Sequence, residues 1–77
     1  MRSNVLNVIG KQVNRIRTQQ MLTQTQLAAK VNLLDWDISR GTLAKIESGI
    51  RRVTDIEVMT LAKALKVEVQ VLFPVSK

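Results

Sequence analysis

Arg40, Thr42 and Lys45 stand close together in the stretch DISRGTLAKIESGIRR, which runs from Asp37 to Arg52. A guanidinium bonds two neighbouring acceptors at once, a threonine sets a methyl beside a hydroxyl, and an ammonium is a compact point charge. These groups suit recognition of anions and of hydrogen-bonding edges. Arg51 and Arg52 extend the stretch, and Glu47 is its only acid between Arg40 and Arg52. Bond-breaking chemistry is poorly served, because the chain has no His, Cys or Tyr. Its acids also lack the pairing that general acid–base work needs. An enzyme is therefore not expected, nor a metal site or cofactor.

The whole chain carries the same bias. Twelve Lys and Arg against six Asp and Glu give 77 residues a formal charge of +6, which by itself suits a solvated basic surface as well as a nucleic-acid partner; the clustering of four bases and one acid between Arg40 and Arg52 favours the nucleic acid. With 45% hydrophobic residues and Trp36 and Phe73 as its only large rings, the core must come from aliphatic side chains, which favours helices. One domain is expected over residues 1–77, with its core over 5–73. No run of about 18 apolar residues and no signal-peptide pattern is visible, so a cytoplasmic protein without membrane contact is expected.

Local signals place the elements. Val5, Leu6, Ile9, Val13 and Ile16 have helical spacing, predicting a first helix over residues 5–19 that starts near Ser3 or Asn4. Gly10 would lie inside it as a point of close packing against another helix. Thr23 and Gln26 have capping-box spacing with Leu22 and Leu27 as a staple, so a second helix starts at Gln24 and stops near Asp35. Ile38, Ser39 and Leu43 repeat the staple, and Gly49 suits a left-handed stop. The third helix is therefore expected at about 39–48, with Leu43 and Ile46 inward and Arg40, Thr42 and Lys45 outward.

Val53, Thr54, Glu57 and Val58 start a fourth helix, from Asp55 to about Leu65, with Val58, Leu61, Ala62 and Leu65 inward and Met59 on its flank. VEVQV at Val67 to Val71 alternates like a strand, but a lone strand would expose its edge. A short fifth helix from about Glu68 to Phe73, closed by Pro74, is preferred. The fold class expected is all-α, a compact five-helix domain containing a helix-turn-helix.

At this point the chain resembles the lambda-repressor-like, Cro/C1-type (XRE) DNA-binding domains. The resemblance covers about residues 9 to 73 and rests on IG..V..IR at Ile9 to Arg17, LTQTQLA at Leu22 to Ala28, LAKIESG at Leu43 to Gly49 and LAKAL.V...LF at Leu61 to Phe73. It implies a recognition helix whose start, Ser39, Arg40, Gly41 and Thr42, with Lys45 a turn later, meets double-stranded DNA. Arg40, Thr42 and Lys45 are then the base contacts, Arg40 as a guanine reader. Thr23, Gln24, Ser39, Gly41, Arg51 and Arg52 are the backbone contacts.

Alternatives remain for several of these positions. Gln24 is either a phosphate contact or a surface residue chosen for capping, and Gly41 either admits close backbone approach or is simply tolerated. Arg51 and Arg52 either grip phosphates or counter the dipole of the third helix. The resemblance also implies that Arg17 and Glu47 form a partly buried structural ion pair. Two departures stand out. NLLDWDI inserts roughly one helical turn before Ser39, with Leu34, Trp36 and Ile38 expected to bury it, and Lys66 stands where the family has glycine at the end of the fourth helix.

The function expected is a sequence-specific transcriptional regulator, a repressor or autoregulator, that binds an inverted-repeat operator as a homodimer. Val69, Leu72, Phe73 and Val75 would form the dimer interface, although core burial explains Leu72 and Phe73 equally well. The alternative is an antitoxin or controller-type protein whose main role is to bind a protein partner such as a toxin.

Overall fold

Three of the helices begin on a hydroxyl that accepts a backbone N–H three residues on: Thr23 from Gln26, Ser39 from Thr42 and Thr54 from Glu57. Both predicted capping boxes close, since the Gln26 and Glu57 side chains return bonds to the Thr23 and Thr54 N–H groups. The computed structural model describes residues 5–74 and orders four α-helices along the chain. They are α1 (Gly10–Gln19), α2 (Gln24–Asn32), α3 (Arg40–Glu47) and α4 (Asp55–Leu65). The expected fifth helix is a single 3₁₀ turn, Val69–Leu72, and no strand forms among the described residues.

The aliphatic core lies between these helices. Ile9 and Val13 from the α1 side, Leu27 and Val31 from α2, Leu43 and Ile46 from α3, Leu61 and Leu65 from α4, and Leu72 are all at most 1% exposed. Each helical set repeats at three or four residues, the spacing that puts side chains on one face. The inward faces therefore match the sequence reading, and Met59 does lie outside, at 59% exposed.

The N-terminal expectation fails. The first helix begins at Gly10, and residues 5–9 are not helical; Ser3 and Asn4 lie outside the described residues. The cause is tertiary. The buried Asn7 side chain accepts the N–H groups of Ile9 and Gly10 and donates to the carbonyls of Ile46 and Arg51, while Leu6 N–H donates to Gly49. Val5 and Leu6, periodic with Ile9 in sequence, remain 48% and 45% exposed.

Two other boundaries differ. The second helix stops at Asn32, and hydrogen-bonded turns carry the chain to Asp35, whose φ of 70° reverses it. Asn32 then donates to the carbonyls of Trp36 and Ile38, so the inserted connector is pinned as well as packed. Ile38 is buried, with Leu34 and Trp36 partly buried against the core, as expected of the insertion. At the end of α4, Lys66 takes the left-handed conformation (φ 59°, ψ 43°) despite not being glycine. No helix among the described residues is long and apolar enough to cross a membrane.

Candidate nucleic-acid interface

The third helix is held from behind by backbone. Gly10 packs where a Cβ would collide with the carbonyl oxygen of Ile46 and lie 2.9 Å from that of Glu47, so only glycine lets α1 approach so closely. Gly49 ends the helix at φ 80°, as its left-handed role requires, and Val5 occupies the space a side chain there would need. Asn7 binds the same end. The third helix thus has little freedom to slide along its axis.

Glu47 fixes its rotation. The carboxylate accepts Arg17 Nε at 2.7 Å, Arg17 Nη2 at 3.1 Å, Asn14 Nδ2 at 2.8 Å and Gln24 Nε2 at 3.1 Å. Burial alone would raise its pKa, but hydrogen bonds from Arg17, Asn14 and Gln24 and the Arg17 charge outweigh burial and hold it below the ordinary value of 4.5. Arg17 also donates to the Leu22 carbonyl at 2.7 Å. One buried ion pair therefore ties α1, the start of α2 and the end of α3 together.

The opposite face of α3 is open. Arg40, Gly41 and Lys45 are exposed and Thr42 is half-buried. Thr42 accepts from the Ser39 hydroxyl at 3.2 Å, so its own hydroxyl proton is not used in that bond. At about 100° per residue, Gly41, Ala44, Lys45 and Ser48 form the middle of this face, with Arg40 and Thr42 on its two flanks. Ala44 and Ser48 were not singled out from sequence, because they carry no charge. Their small size keeps that face low, which lets a helix sit close to a flat partner.

The backbone-contact candidates divide. Thr23 and Ser39 are exposed but serve as caps, and Gln24, at the open start of α2, is partly engaged by Glu47. Gly41 has only Ser39 Oγ, at 3.7 Å, near the place of an added Cβ, so the free protein does not require glycine there. Arg52 is exposed. Arg51 is engaged within the chain: its guanidinium donates to both Glu57 carboxylate oxygens, at 3.0 and 3.2 Å, and lies 5.8 Å from the centre of the Trp36 ring. It joins the α3–α4 loop to α4 and to the inserted connector instead of standing free.

Leu72, expected at a dimer interface, is fully buried within its own chain and offers no surface. It fills the core between α1 and α4, which is the alternative that the sequence left open. Val69 and Phe73 are 37% and 41% exposed; Val75 lies outside the described residues. Asn7 and Asn14 were missed altogether, since side-chain partners 33 to 44 residues away leave no local signature; Asn32, whose partners lie four and six residues on, was missed as well.

A capped pair of helices, the second carrying an open, cation-edged face and locked from behind, defines a helix-turn-helix DNA-binding protein. The family model for Helix-turn-helix (HTH_3) matches residues 13–72, and the chain belongs to that family. No curated protein matches the sequence significantly. Solved structures do. The restriction-modification controller protein C.AhdI from Aeromonas hydrophila is 29% identical over 84% of this chain and 87% of its own, with a TM-score of 0.74. The DNA-binding domain of BldD is 31% identical over 96% and 100%, with a TM-score of 0.76. The S. venezulae BldD DNA-binding domain is 30% identical over 94% and 100%, with a TM-score of 0.75.

Proposed function

We propose that this chain is a sequence-specific transcription regulator that binds an inverted-repeat operator in double-stranded DNA as a homodimer and represses or autoregulates its own locus. One recognition helix enters each of two successive major grooves. Arg40, Thr42 and Lys45 read base edges, while Thr23, Gln24, Ser39, Gly41 and Arg52 face phosphates. The observation that carries this reading is the contrast across α3: Glu47 is buried in a four-donor network, whereas Lys45 on the opposite face and Arg40 at the first turn are exposed.

A controller-type role is the second reading, favoured by the likeness to the restriction-modification controller C.AhdI. It differs in the genes that are regulated and in whether a protein partner matters more than DNA. Titrating the chain against the promoter-upstream fragment of its own locus at several salt concentrations tests both. A steep negative salt slope with a large preference over random duplex supports sequence-specific regulation. Equal affinity for any duplex overturns it.

A further inference from the structure

We propose that Trp36 is a positioning residue for base readout: clasped by Arg51 and Glu57, it sets where the first turn of α3, and with it Arg40, meets DNA. The inference rests on the base-reading role given to Arg40 above.

The two ends of α3 are held differently. Among the described residues, side chains of α1, α2 and the segment before α1 bond to this helix only at Ile46 and Glu47. The first turn, where Arg40 stands, has its cap from Ser39 and the buried Leu43 beneath it. Its position therefore follows from the connector that delivers the chain to Ser39.

Backbone ties that connector inward. The Trp36 N–H donates to the Val31 carbonyl at 3.2 Å, and the Trp36 carbonyl accepts from the Asn32 side chain at 2.9 Å and from the Ile38 N–H at 3.0 Å, one residue before the cap. The ring itself is only partly buried against the core. Its outer side is held from beyond the helix.

That hold is a chain of contacts, each anchored by the next. Oε1 of Glu57 accepts the Thr54 N–H at 3.0 Å, which places the carboxylate at the first turn of α4. Both of its oxygens accept from Arg51, and this two-pronged contact fixes the guanidinium plane. The Asn7 amide holds the Arg51 carbonyl at 2.8 Å. The guanidinium then lies 5.8 Å from the centre of the Trp36 ring, within the distance at which an aromatic face attracts a cation. Residues before and after α3 are thus joined outside the helix. An arginine that bonds two acceptors on one base needs both within hydrogen-bond distance, so a small shift of the first turn costs discrimination and leaves the charge of the face unchanged.

The test measures the affinity of the full chain for the promoter-upstream fragment of its own locus and for a random duplex of equal length. Wild type, Trp36→Leu, Trp36→Phe and Glu57→Gln are compared, with circular dichroism melts establishing that each is folded at the assay temperature. Glutamine at position 57 can still accept the Thr54 N–H, so the cap survives and the charge facing Arg51 is lost. The expected ratio of specific to random affinity falls about tenfold in Trp36→Leu and about threefold in Glu57→Gln, and stays at the wild-type value in Trp36→Phe, which keeps an aromatic face. Affinity for the random duplex stays unchanged in all three, whereas loss of fold would lower both affinities together. A wild-type ratio in Trp36→Leu would overturn the positioning role and leave sequence-specific regulation standing. A ratio that falls in Trp36→Leu but not in Glu57→Gln, or falls equally in Trp36→Phe, would overturn the clasp. A wild type with equal affinity for both duplexes would overturn the clasp and the regulatory reading together.

Discussion

The side-chain amide of Gln24 donates to Oε1 of Glu47 across 3.1 Å, joining the first residue of α2 to the last residue of α3. The start of one helix is thereby set relative to the exposed face of the next. Arg17 holds the same carboxylate through two bonds and a full charge. Glu47→Gln should therefore cost about 3–5 kcal/mol, because it leaves a buried guanidinium without its counter-charge. Gln24→Met should cost only about 1 kcal/mol, the net value of one hydrogen bond. Urea denaturation of both variants measures the contrast, and equal losses would mean that Arg17 is not the main anchor.

Acid should unfold the protein through two glutamates. Glu57 lies below its ordinary value of 4.5 chiefly because Arg51 donates to it, with burial opposing and the Thr54 N–H adding to the effect; Glu47 is lowered as well. A folded pKa below the unfolded one means that the unfolded chain takes up protons first as the pH falls. The stability contributed by both groups is thus fully present above pH 4.5 and is lost as the pH drops through their folded values. Melting temperatures measured from pH 7 down to 3 should begin to fall near or just above 4.5. A flat profile across that window would contradict the assignment.

The glycines make opposite predictions. Gly10→Ala sets a methyl against the backbone of α3 and should destabilise by about 2–4 kcal/mol, since backbone cannot step aside as a side chain can. Gly41→Ala meets only the Ser39 hydroxyl, at an ordinary contact of 3.7 Å, and should stabilise α3 by about 0.5–1 kcal/mol. If the more stable Gly41→Ala protein binds its operator more weakly, close approach of the backbone is the reason for glycine there. Unchanged binding would leave Gly41 merely tolerated.

Lys66 carries a conformational cost that the core enforces. At φ 59° a side chain is worse than none by about 1 kcal/mol, so Lys66→Gly should stabilise the fold by that amount. Val67 N–H bonds back to Ala62 across this turn, and Val67 packs on the core, which is what holds the strained residue in place. Denaturant midpoints of the two proteins give the comparison.

Three arginines should separate by role. Arg40→Ala is expected to relax base preference, Arg52→Ala to weaken all sequences alike and lower the salt slope by about one. Arg51→Ala should reduce stability more than it changes the salt slope, because its charge is shared with Glu57 and Trp36. Binding titrations with matched and mismatched duplexes, beside thermal melts, distinguish the three; identical effects would collapse the distinction.

Much of the exposed face of α3 was legible from local chemistry. Thr23, Ser39 and Thr54 announce helix starts because a hydroxyl reaches an N–H only three residues on. Gly49 announces a stop because the left-handed turn favours a residue without Cβ, and inward positions follow from a spacing of three and four. Arg40 and Lys45 fall outward by the same count. What sequence alone determined, therefore, is the order of the helices, their caps, their buried faces and the charge of the exposed one.

Apart from the Arg17–Glu47 pair that the resemblance implied, tertiary structure decided what depends on partners far along the chain. Asn7 reaches Ile46 and Arg51 across 39 and 44 residues, and this long-range bonding keeps residues 5–9 out of the helix that their spacing predicts. Leu72 was equally suited to core and interface until packing against α1 and α4 buried it. Arg51 and Arg52 are identical neighbours, yet only Arg51 finds Glu57 and Trp36 within reach. Capping and periodicity act within one or two turns and can be read directly; burial and charge pairing belong to the assembled fold, because they depend on which distant groups the core brings together.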